Sequence, residues 1–156
     1  MPADEANNPQ DANIDMALHN EIGHLGEEAT CEYLKKKGYK IVERNWRLGN
    51  IEIDVIAENK QNIVFVEVKT RTTTYANATP EEYVDEHKRR FMTIAGNAYV
   101  KHNNISKNLR FDICGILWNK QTNQADEIHY YEDAFTPNLH SVNARSFSGE
   151  WKWHRR

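Results

Sequence analysis

Two cysteines in 156 residues are too few for a disulfide framework, and Cys31 and Cys114 lack the paired spacing of a zinc site, as do His19, His24 and His102 beside them. Both are expected as reduced thiols in the core. No apolar run approaches the roughly 18 residues that a membrane span requires, and no secretory segment leads the chain. A cytoplasmic protein is the expectation. No internal repeat is evident, and at 39% hydrophobic content the chain can bury one core and hardly two. There is also no excess of positive charge. The net charge is −3, and Asp4, Glu5, Asp11 and Asp15 stand in the first fifteen residues without a base, which leaves +1 for the remainder. A near-neutral domain argues against strong non-specific DNA binding, whose affinity depends on phosphate neutralisation, and leaves room for a weak or structure-dependent binder.

What is present is a set of charges where core strands should carry none. Ile51-Glu-Ile-Asp-Val-Ile-Ala57 contains Asp54, and Ile63-Val-Phe-Val-Glu-Val-Lys69 contains Glu67 and Lys69. Each stretch alternates with period two, setting Ile51, Ile53 and Val55 against Glu52, Asp54 and Ile56, and Val64, Val66 and Val68 against Ile63, Phe65, Glu67 and Lys69. The polar segment Asn59-Lys60-Gln61-Asn62 between them suits an antiparallel hairpin. With Glu58 paired to Ile63, Asp54 falls opposite Glu67. Opposed side chains on one face have Cβ atoms about 4.5 to 5.5 Å apart, so two carboxylates there repel unless a cation lies between them. A hard divalent cation such as Mg²⁺ is held by one or two carboxylates and keeps waters for a phosphate. Lys69, about 6 to 7 Å further along the same face, would hold an attacking water or offset charge on the phosphate. The competing reading is a salt-bridged sheet face, with Lys69 neutralising Glu67 and Asp54 hydrogen-bonded at an edge.

Asp54, twelve residues, then Glu67-Val-Lys69 is similar to the PD-(D/E)XK signature of restriction-endonuclease-like nucleases, with the spacing of archaeal Holliday-junction resolvases. More of the chain agrees: Gly23-His-Leu-Gly26-Glu27 with Ala29, Tyr33-Leu34 and Gly38-Tyr39; Glu43-Arg-Asn-Trp-Arg47; Glu52-Ile-Asp54-Val-Ile-Ala57; Val64-Phe-Val-Glu-Val-Lys-Thr-Arg71; then Pro80, Lys88, Ala95, Tyr99 and Arg110-Phe-Asp112. In that order, from about residue 17 to about 135, they resemble the YraN-type family of small bacterial proteins. Ile51 departs from the family pattern, which has glycine before the Glu-Ile-Asp run. The resemblance implies Mg²⁺- or Mn²⁺-dependent hydrolysis of DNA, with branched or damaged structures as a candidate substrate class. Asp54 and Glu67 would hold the metal, helped by the backbone carbonyl of Val68, and Lys69 would position the water. Glu27 matches the acid that the family carries on its first helix, with Glu28 as the other candidate. Arg71, Lys88 and Arg89 would contact nucleic acid. Junction resolvases act as symmetric dimers, so a homodimer is the assembly that goes with this reading.

Along the chain, residues 1–12 read as a polar, disordered lead-in, 13–135 as the domain and 136–156 as a tail. A helix is predicted from Asn13 or Asp15 to the capping Gly38, with Leu18, Ile22, Leu25, Ala29 and Tyr33 as its apolar stripe. By that stripe Glu27 points away from the core; a second row of mostly small residues, Gly23, Glu27, Thr30 and Leu34, would instead bring it against the sheet. The Thr-rich segment 70–79 suits a loop beside the charged face. Pro80 opens a helix to about His102, whose apolar positions leave His87-Lys-Arg-Arg90 outward, as a solvated face or a phosphate-contacting patch. Two further strands are expected at Leu109–Trp118 and Ile128–Tyr131, with Asp112 a third acid near the site, the cap of a local turn or a partner of Arg110. The order helix, three strands, helix, two strands predicts an α/β domain with a mixed sheet flanked by helices, restriction-endonuclease-like in fold. In the tail, Arg145, Lys152, Arg155 and Arg156 interleave with Phe147, Trp151 and Trp153, for base stacking or for packing back on the domain. Two other functions fit: a non-catalytic nucleic-acid-binding or processing factor on the same fold, and a protein-interaction module using residues 80–102 and the tail.

Overall fold

A computed structural model of the chain describes residues 9–72 and 80–136. The first eight residues of the lead-in, most of the Thr-rich segment and the basic aromatic tail lie outside the described residues. The elements run α1 (Pro9–Lys36), β1 (Lys40–Leu48), β2 (Ile51–Glu58), β3 (Asn62–Arg71), α2 (Pro80–Tyr83), α3 (Glu86–His102), β4 (Asn108–Asn119) and β5 (Gln124–Tyr131). This is the mixed α/β arrangement the pattern predicts. The strands form one sheet in sequence order. Among the described residues only β3 and β4 pair in parallel, and a parallel pair needs a long crossover; α2 and α3 lie in it.

Each face of the sheet has its own core. Ile53, Ile56, Ile63, Phe65, Phe111 and Ile113 pack with Met92, Ala95 and Tyr99 of α3. Val55, Ala57, Val64, Val66, Cys114 and Ile116 pack with Ile22, Cys31 and Leu34 of α1. The central strands are therefore covered on both sides and read as near-continuous apolar runs. Both cysteines are buried and unpaired, and Cys114 Sγ takes a 3.3 Å hydrogen bond from Thr30 Oγ1.

Local chemistry sets the boundaries. Gly38, at φ +87, ends α1: its N–H donates to Lys35 O at 3.0 Å and that of Tyr39 to Leu34 O at 3.0 Å, the paired bonds of a glycine C-cap. The Asn59 side chain accepts the N–H groups of Gln61 and Asn62 and closes the β2–β3 turn. Leu48 pairs with Ile51 across a two-residue loop that starts on Gly49 at φ +57, so Ile51 enters its strand normally.

Two helix expectations are corrected. α1 begins at Pro9, earlier than predicted, and its first turns stand clear of the sheet, with Ile14 and Met16 exposed. The helix predicted across 80–102 is broken at Asp85, which adopts an extended conformation and accepts the Lys88 N–H at 2.8 Å. An N-cap with that geometry starts a new helix. Asp112 is fully buried and paired with Arg110 (2.8 and 2.7 Å), and it also accepts the Tyr130 hydroxyl and the Asp133 N–H. It lies in register with Val66 of the α1-side core, so it is no third acid beside Glu67.

Candidate active site at the fork of β2 and β3

The hairpin register is the predicted one, Glu58 with Ile63 through Val55 with Val66. There the ladder stops. β2 continues to Ile51 paired with β1, while β3 continues to Arg71 paired with β4, so the two strands part. Asp54 stands at the parting, and its carboxylate takes the ladder's place: Val68 N–H donates to Asp54 Oδ2 at 2.7 Å. Glu67 is the first β3 residue beyond the last pair.

Strict alternation of β2 does not hold across Asp54. Ile53 packs in the α3-side core and Val55 in the α1-side core, although they are two residues apart. The neighbouring strand turns with it. Arg44 reaches Glu28 of α1, whereas Trp46 packs on the α3 side, and Asn45 between them has φ +50. Asparagine is among the few side chains that accept this left-handed backbone. A concerted twist of two strands thus aims Asp54 into the fork.

The cations come from two directions. Lys69 Nζ is 3.2 Å from Glu67 Oε1, and Lys88 Nζ, from the first turn of α3, is 3.2 Å from Glu67 Oε2. Lys88 Nζ also donates to the Glu52 carbonyl at 3.2 Å, on the opposite arm of the fork. The Glu67 side chain is only 4% exposed, yet its Oε2 has no hydrogen bond of proper geometry. Burial, then the Glu67 charge, hold the Asp54 carboxyl well above the usual carboxylate range, against the opposing pull of the Val68 N–H; Glu27 pushes the same way and Lys88 the other.

α1 delivers Glu27. The fully buried row of α1 is Ile22, Gly26, Thr30 and Leu34 with Cys31, while Leu25 and Ala29 of the predicted stripe are only partly buried and Leu18 is exposed; small residues let the helix sit tightly on β3, as a Cβ on Gly26 would lie 1.9 Å from Thr70 Oγ1. At about 100° per residue, Glu27 then projects between Leu34 and Cys31, towards the sheet. Its side chain is 13% exposed, and Oε2 is buried without a hydrogen bond, 3.6 Å from His24 Nδ1 and 4.0 Å from Arg44 Nη2. Glu28, its rival, is the exposed member and binds Arg44 at 2.6 Å.

Asp54, Glu67, Lys69 and Lys88 are thus gathered at one place, with Glu27 near enough to act on Asp54 electrostatically. The ion pair and the edge hydrogen bond of the salt-bridge reading are both present as well. Arg71 is exposed at the end of β3. Lys88 and Arg89 do not point freely outward as predicted: Lys88 is drawn to Glu67, and Arg89 donates to Val84 O at 3.0 Å with its guanidinium over the Phe135 ring. Both follow from the break at Asp85, which turns the first turn of α3 towards the fork. The signals that sequence reading left unused were Asn45, opposite Asp54 in β1, and the Asp85-to-Lys88 capping interval. Among the described residues no group of three or more His, Cys, Asp or Glu side chains is gathered closely enough to hold a metal on its own, and no helix is long and apolar enough to cross a membrane.

The model of the uncharacterised protein family UPF0102 matches residues 26–116, a span that holds every member of this cluster. A UPF0102 protein of Bacteroides thetaiotaomicron is 42% identical over 124 residues, covering 80% of this chain and 99% of the relative. Another, of Flavobacterium psychrophilum, is 38% identical over 120 residues (77% and 98%), and one of Flavobacterium johnsoniae is 39% identical over 124 (77% and 98%). The YraN-type resemblance is borne out, and the chain belongs to the UPF0102 family.

Proposed function

We propose that the fork is the active site of a divalent-metal-dependent endonuclease of the PD-(D/E)XK type, hydrolysing phosphodiester bonds in DNA. The observation that carries the proposal is the convergence of Asp54, Glu67 and Lys69 where the β2–β3 ladder opens, with the Asp54 carboxylate bound to the Val68 N–H. A fold built only for stability would have little reason to set a half-buried Asp54 beside a buried Glu67, since each disfavours ionisation of the other.

The donor set suits a hard cation. Asp54 and Glu67 offer carboxylate oxygens, one of them buried without a hydrogen bond, and the Val68 carbonyl, on the residue whose N–H holds Asp54, would add a third oxygen. Mg²⁺ and Mn²⁺ need no more protein ligands than these, as waters and substrate phosphate complete their shells. Such an ion, when bound, supplies Lewis acidity that acidifies water and offsets charge on phosphorus. In hydrolysis a water oxygen bonds to phosphorus, the opposite P–O bond breaks, and the departing oxygen gains a proton. Lys69, 3.2 Å from Glu67 Oε1, would orient the water and offset the added negative charge. Glu27 is a second holder of water from the α1 side. Arg71, exposed beside the fork, would meet the backbone phosphates.

The test is a gel assay with Mg²⁺ or Mn²⁺ on single-stranded, duplex, flap and four-way-junction DNA, run beside Glu67→Ala. Metal-dependent cuts that vanish in the variant are expected. Uncut but shifted DNA with both proteins would instead favour the non-catalytic binding factor, and full activity of Glu67→Ala would refute the assignment.

A further inference from the structure

We propose that Lys88 is a resident counter-cation of the fork, which a divalent ion must displace in order to bind. The inference rests on the metal-site reading above and adds a competitor within the chain itself.

Glu67 is faced by two ammonium groups, one on each oxygen, and their attachments differ. Lys69 belongs to β3 itself, two residues from Glu67. Lys88 arrives from another element, and its Nζ lies between the two arms of the fork, 3.2 Å from both Glu67 Oε2 and Glu52 O. That is where a bridging cation is wanted once the ladder has opened. Its geometry towards Glu67 Oε2 is an ion pair without a proper hydrogen bond, so the oxygen stays available to a better ligand partner. The Lys88 side chain is 30% exposed, which gives the ammonium a route to solvent.

Charge makes the competition concrete. Glu27, Asp54 and Glu67, if all ionised, total −3, and Lys69 with Lys88 reduces this to −1. A divalent ion added to that set would leave the part-buried fork at +1; with Lys88 withdrawn, the same ion leaves it neutral. Two cations crowded at one carboxylate repel strongly at the effective dielectric of such a site. Metal binding should therefore swing Lys88 outward, where it becomes available to a phosphate. The Asp85 cap fixes the backbone from which that side chain swings.

The experiment is titration of the full chain with Mn²⁺ alone by calorimetry, for the parent, Lys88→Met, Lys88→Arg and Glu67→Gln, with thermal melts to confirm folding. Lys88→Met is expected to bind Mn²⁺ at least about tenfold more tightly, Lys88→Arg close to the parent, and Glu67→Gln far more weakly than either. Should Lys88→Met fail to fold, Lys88→Gln tests the same loss of charge. Parent binding with unchanged or weaker affinity in the charge-removed variant overturns the inference while leaving the metal site standing. No binding by the parent or by Lys88→Met overturns both.

Discussion

Gly26 is where the sequence fixes how near α1 lies to the site, and Gly26→Ala tests that seating. An added Cβ would meet Thr70 Oγ1 at 1.9 Å, Thr70 Cβ at 3.0 Å and Thr70 Cγ2 at 3.2 Å. Rotating the Thr70 side chain can turn its Cβ hydrogen towards the new methyl but leaves Thr70 Cβ at 3.0 Å, so α1 and β3 must still separate by a few tenths of an ångström. Overpacking of this kind costs about 1–3 kcal/mol. Replacing a mid-helix glycine by alanine returns about 1 kcal/mol. The net expectation is a loss of roughly 0–2 kcal/mol, or about 0–8 °C in Tm for a domain of this size. Thermal and urea unfolding measure it. The Thr70→Gly background should relieve the clash and Thr70→Ala only part of it, so the double-mutant coupling should exceed about 0.5 kcal/mol. Gly26→Ala more stable than the parent by the full helix gain of about 1 kcal/mol, with no coupling to Thr70, would refute the close seating and with it the inward placement of Glu27.

Other perturbations address the charges and the core. Because Asp54 holds its proton more tightly folded than unfolded, stability should fall as pH rises from the ordinary carboxylate range through the higher folded-state value; Asp54→Asn should flatten that fall and add about 1 kcal/mol at neutral pH, and equal Tm–pH profiles would contradict this. Asp112→Ala leaves Arg110 without its buried partner and should cost about 3–5 kcal/mol in urea unfolding, whereas a cost under about 1 kcal/mol would show the network to be dispensable. Burial pushes the Cys114 thiol up to about 11, so Ellman's reagent at pH 8 should label it only on unfolding; labelling at the rate of a free thiol would contradict its burial.

The sheet was legible because period two survives in most of it. The β2–β3 register followed from Glu58, Ile63 and a turn of Asn and Gln, and that register put Asp54 beside Glu67. The phase of β2 beyond Asp54 was not legible, since the twist originates in the partner strand at Asn45. The apolar stripe of α1 left the direction of Glu27 open, because glycine and threonine share the helix–sheet contact with Leu34 at Gly26 and Thr30, and hydropathy gives little weight to small residues. Lys88 looked like a solvated charge because its inward turn depends on a helix break at Asp85 that an unbroken helical pattern hides.

Whether the opening of the β2–β3 ladder takes a divalent cation can be read from anomalous diffraction by crystals of the protein soaked in Mn²⁺. The expected result is a peak bounded by Asp54, Glu67 and the Val68 carbonyl, with Lys88 no longer in contact with Glu67. A fork that holds no peak at saturating Mn²⁺, with Lys88 still seated on Glu67, would contradict it.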